Sequence, residues 1–126
     1  MKKAILVPID GSKRSLAVLP FATQLAKACG DEIILLNVHG TAQILGEALL
    51  KEAVSIVEQE RVPYQAKVRI GNPTTEISSE ARNDNIRCIV MGFKGAGMNQ
   101  EGKVLGSVSS GILQLSPCPV TLVPNQ

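Results

Sequence analysis

Short apolar runs alternate with segments of helical periodicity along the whole chain, and this alternation constrains the fold more than any other feature. Four runs read as buried strands: AILVPI (4–9), IILLNV (33–38), RCIVMG (87–92) and PVTLV (119–123). Each is apolar at most positions, as a strand covered on both faces of a parallel sheet must be. A fifth run, YQAKVRI (64–70), alternates apolar and polar residues and predicts a half-exposed edge strand. Between them, Val18, Ala22, Leu25 and Cys29 mark one helix face over Ser12 to Cys29, with a kink at Pro20. Leu45, Leu49, Ala53 and Ile56 mark a second helix over 42–60, whose first turn Gly46 weakens. A third helix opens at Asn72-Pro73, a capping residue followed by proline at the first helical position. A fourth, short one starts at Ser107. The order β-α-β-α-β-α-β-α-β predicts a single α/β domain over 1–126, a doubly wound sheet of five parallel strands with helices on both faces.

Such sheets bind ligands beyond the carboxyl ends of the strands, at the point where strand order reverses. Two stretches belong there. PIDGS (8–12) ends a strand in a carboxylate followed by Gly and Ser. Asp10 is suited to accept from a ribose hydroxyl or to help hold a metal–phosphate complex; Asp10 and Ser12 are equally suited to cap the first helix. The second stretch is MGFKGAGMNQEGKVLGS (91–107), with five glycines between Gly92 and Gly106. Glycines let backbone N–H groups approach phosphate oxygens, and the following helix start favours negative charge. Lys94 and Lys103 add positive charge, and the alternative is a plain surface connection.

Several other classes are excluded. GMNQEGKV (97–104) nearly spells a P-loop, but Val104 stands where the Mg²⁺-binding hydroxyl is needed, and only 22 residues follow. No GxSxG elbow occurs, His39 is the only histidine, and Ser109 and Ser110 have no visible activating partner. No acidic cluster marks a receiver domain. A net charge of +2 and only three aromatic residues (Phe21, Tyr64, Phe93) argue against nucleic acid. Cys29, Cys88 and Cys118 form no CxxC pair and read as small buried hydrophobes in a reducing compartment. The amino-terminal apolar run is too short for a signal peptide and no run would span a membrane, which places the chain in the cytoplasm.

Four pieces in this order resemble the universal stress protein family: PIDGSKRS (8–15), GNPTTEI (71–77), the glycine stretch with Gly92-x-x-Gly95 and Gly106-Ser107, and SPCPVTLV (116–123). The resemblance implies an adenine nucleotide alpha hydrolase-like sheet in the order 3-2-1-4-5 and a stress-response regulator that binds ATP, with or without Mg²⁺, and hydrolyses it slowly at most. It implies contacts from Pro8, Ile9, Asp10, Val38, Met91, Gly92, Gly95, Gly106, Ser107 and Val108, with adenine against the Val38 backbone and the ribose on Asp10. It also implies a homodimer through the last strand, and unpaired edges of this kind invite pairing. Ten residues separate Gly95 from Gly106 where the family signature has nine, and the connection HGTAQ (39–43) is short beside the family's usual excursion. A second reading therefore stands beside the first: the same fold without nucleotide, acting as a dimeric interaction module. A third is an enzyme acting on a small substrate.

Overall fold

The structure, a computed structural model, describes residues 2–40, 43–83, 85–92 and 106–124. Five parallel strands, β1 (Ala4–Pro8), β2 (Glu32–His39), β3 (Tyr64–Ile70), β4 (Ile86–Gly92) and β5 (Val120–Val123), form one sheet in the order β3-β2-β1-β4-β5. The helices are α1 (Lys13–Leu16), α2 (Leu19–Cys29), α3 (Gln43–Gln59), α4 (Pro73–Ala81) and α5 (Ser107–Leu115).

Strand alternation divides the core into two layers. Ile5, Val7, Ile33, Leu35, Cys88 and Val90 pack with Ala22 and Ala26 of α2 and Leu50, Ala53 and Val57 of α3. Ala4, Leu6, Ile34, Leu36, Ile89 and Met91 pack on the other face with Ile77 and Ala81 of α4 and Ile112 of α5. Burial on both faces is what the apolar runs require. The edge strand β3 is half-exposed as its mixed composition predicts. Its basic residues are paired from α4: Lys67 Nζ lies 2.7 Å from the buried Glu80, and Arg69 Nε 3.2 Å from Glu76.

Three expectations need correction. The segment from Ser12 to Cys29 is two helices, not one kinked helix. Pro20 sits in the first turn of α2, where its missing N–H has no partner to lose. The buried stripe of α2 is Leu19, Ala22, Thr23 and Ala26, and it stops short of Cys29, which is exposed beside the left-handed Gly30 that ends the helix. Of the three cysteines only Cys88 is buried; Cys118 is intermediate. In α3 the buried face is Gly46, Leu50, Ala53 and Val57, so Leu49 and Ile56 lie to its flank, and the Leu45 side chain falls outside the described residues.

Candidate functional site

The strand order reverses between β1 and β4, and a cavity opens beyond the carboxyl ends of those two strands. Its floor is apolar: Leu36 and Val38 from β2, Met91 from β4, Ile77 from α4 and Val108 from α5. Its polar lining is Asp10, Ser12, Arg14 and Ser15 after β1 and the buried Ser109 of α5. Pro8, Ile9, Pro73 and Gly92 complete the lining.

The rim is built by a compact turn after β1. Gly11 takes φ +87°, a left-handed conformation open to glycine, and a Cβ there would come 2.5 Å from Leu49 Cδ2 of α3. That turn brings the Ser12 N–H to Asp10 Oδ1 at 2.8 Å. Ser12 Oγ in turn accepts from the Ser15 N–H at 3.1 Å and caps α1. Ser15 Oγ donates to the Ser12 carbonyl at 2.9 Å and accepts from the Asp10 N–H at 3.3 Å. Partial burial opposes ionisation of Asp10, but the hydrogen bonds from Ser12 and Ser15 outweigh it and hold the carboxyl below its ordinary value. Asp10 is therefore a carboxylate at neutral pH, seated at the cavity mouth.

Two helices begin at the cavity. α4 starts at Asn72, whose side chain accepts from the Thr75 N–H at 3.2 Å, and Pro73 and Ile77 reach the lining. α5 starts at Gly106, which has no side chain to cap it. Gly106 has φ −69°, which any residue adopts; its lack of a Cβ bears on close approach, not on backbone conformation. Ser109 Oγ donates to the Gly92 carbonyl at 2.8 Å and ties α5 to the end of β4.

Of the residues picked from sequence, Pro8, Ile9, Asp10, Val38, Met91, Gly92 and Val108 line this one cavity. The Ile9 side chain packs in the α2/α3 layer. Gly106 and Ser107 stand at the start of α5 but do not line the cavity, and Gly95 lies outside the described residues, as do Lys94, Lys103 and the rest of 93–105. His39 is at the end of β2 and is not part of the lining. Ser12, Arg14, Ser15, Leu36, Pro73, Ile77 and Ser109 were not picked. Their signals were present: Ser12, Arg14 and Ser15 lie within PIDGSKRS, and Pro73 and Ile77 within GNPTTEI.

An apolar slot with a carboxylate, hydroxyls and a guanidinium at its mouth suits a flat heterocycle bearing a polyol and an anionic group. Among the described residues no group of three or more His, Cys, Asp or Glu is placed to hold a metal, and Asp10 is the one carboxylate in the lining. No described helix is long and apolar enough to cross a membrane.

A model of the Universal stress protein family matches residues 1–124. The Universal stress protein Sll1654 of Synechocystis is 32% identical over an alignment covering 98% of this chain and 87% of that protein. Among solved structures, a universal stress protein in complex with cAMP superimposes with TM-score 0.83 at 23% identity, covering 98% of this chain and 97% of that one. The universal stress protein of Archaeoglobus fulgidus in complex with dAMP gives TM-score 0.78 at 21% identity, covering 97% of each chain. Likenesses at these identities speak for the fold.

Proposed function

The chain belongs to the universal stress protein family, and from that premise we propose that it is a stress-response regulator binding an adenine nucleotide, specifically ATP with or without Mg²⁺. The observation that carries this reading is the cavity at the strand reversal, which joins an apolar slot to an ionised Asp10 and to Val108 and Ser109 in the first turn of α5. Val38, Met91 and Val108 hold the adenine ring between apolar surfaces. Asp10 accepts from the ribose hydroxyls. The N–H groups at Gly106 and Ser107, with the Ser107 hydroxyl, take phosphate oxygens. Two relatives of this fold carry cAMP and dAMP, which supports an adenine nucleotide as the ligand class. Turnover is slow at most, because the described lining offers no histidine and one carboxylate.

Calorimetric titration with ATP tests the reading. The parent chain binds one ATP per chain. Gly106→Val abolishes binding, because a branched side chain bars phosphate from the N–H groups. Ser107→Ala weakens it by about 1 kcal/mol, the loss of one hydrogen bond. Equal binding by the parent and Gly106→Val would place the phosphates elsewhere.

The second reading, a dimeric interaction module without nucleotide, rests on a surface that the first reading shares. All four residues of the edge strand β5 are half-exposed, and Leu113 and Leu115, on the helix leading into it, are 45% and 55% exposed. Failure of the parent chain to bind any adenine nucleotide selects this reading.

A further inference from the structure

Asn37 lies in β2, only 1% exposed, and is absent from the cavity lining. Its Nδ2 donates to the Ile9 carbonyl at 2.7 Å. The β1–β2 register ends at Pro8↔Leu36, and the Ile9 N–H still reaches the Leu36 carbonyl at 2.8 Å. The Ile9 carbonyl lies beyond the last register pair and takes its hydrogen bond from the Asn37 side chain. Both polar groups of Ile9 are thus held by β2, one by backbone and one by Asn37.

A trans peptide points its C=O and N–H in opposite directions. Fixing the Ile9 carbonyl on Asn37 therefore aims the Asp10 N–H at Ser15 Oγ, its acceptor at 3.3 Å. Ser15 Oγ donates onward to Ser12 O, and the Ser12 N–H returns to Asp10 Oδ1. The chain of bonds runs unbroken from the buried amide to the carboxylate at the cavity mouth.

The amide at this position does specific work, since its Nδ2 is the partner of the Ile9 carbonyl. Asn37 Oδ1 is buried without a hydrogen-bond partner among the described residues. An apolar side chain would spare that atom but leave the Ile9 carbonyl without its partner. α3 also closes tightly over it: a Cβ on Gly46 would sit 2.8 Å from Asn37 Oδ1, which leaves the amide little freedom to rotate.

We infer that Asn37 is a positioning residue for the candidate site, setting the Ile9–Asp10 peptide from beneath and so placing the Asp10 carboxylate. Its consequence for ligand affinity rests on the nucleotide reading above; its consequence for Asp10 does not.

The test is Asn37→Leu in the full chain, which keeps the branched shape and removes the donor. Asn37→Ala, which cannot overpack beneath Gly46, is the second variant. Carboxyl NMR follows the titration of Asp10, and calorimetry follows ATP. In the parent, Asp10 titrates below the ordinary aspartate value. In both variants its titration moves up towards that value, and ATP binds about fivefold more weakly, the worth of one hydrogen bond. A merely structural Asn37 would leave the titration in place. An Asp10 titration matching the parent's in a folded variant overturns the inference, whether or not the parent binds ATP. A shifted titration with unchanged ATP affinity overturns its binding half. A parent that binds no ATP removes the proposed function, and the titration still decides the role of Asn37.

Discussion

Asp10 commits one carboxylate oxygen to the Ser12 N–H, while Ser12, not Asp10, caps α1. The sequence offered both residues as caps and Asp10 a compatible binding role besides, and the geometry gives the cap to Ser12. Single-residue burial was harder to read. Cys29, Cys88 and Cys118 all stand in apolar surroundings, yet composition carries no information on where a helix stripe ends. Cys29 is the last residue of α2, past the buried Ala26, and its side chain meets solvent. Burial pushes the Cys88 thiol up, which lowers its thiolate fraction further. A thiol reagent on the native protein is therefore expected to label Cys29 rapidly and Cys88 only on unfolding, as followed by peptide mass mapping. Equal rates at the two would contradict the packing of β4 described here.

Strands were legible as elements because burial on both faces leaves a mostly apolar run, and their ends shifted by no more than a residue. Helix faces were less so. In α3 two apolar stripes share the same spacing, and periodicity does not choose between them. Gly46 does: a Cβ at this position would meet Val68 Cγ1 of β3 at 2.6 Å and Asn37 Oδ1 at 2.8 Å, so its bare backbone lets the helix settle against β2 and β3. Helix propensity alone says that Gly46→Ala stabilises by about 1 kcal/mol. Overpacking a site of this kind costs roughly 1–3 kcal/mol. The second effect wins because the nearest obstacle is a branched side chain on a strand. Gly46→Ala is expected to lower the midpoint of thermal unfolding, and a rise in that midpoint would mean that α3 does not lie this close to the sheet.

At the scale of the whole molecule, alternation of strands and helices sufficed for a parallel sheet, while the order β3-β2-β1-β4-β5 came from resemblance to a family and not from periodicity. The candidate site divided in the same way. Residues at strand ends were picked because topology places them together; Ser109 and Leu36 were not, because they enter from a helix turn and a strand interior. The exposed Leu113 and Leu115 beside the half-exposed β5 support a homodimer paired along that edge. Light scattering at micromolar concentration should then give twice the mass of one chain; a monomer would remove this pairing. The central claim is that an adenine nucleotide occupies the cavity between β1 and β4. Backbone NMR during an ATP titration tests it most directly. The account predicts saturable shifts concentrated at Asp10, Val38, Met91, Gly92, Val108 and Ser109. Shifts that fail to saturate, or that cluster at the far ends of the strands around Asp31 and Arg87, would contradict it.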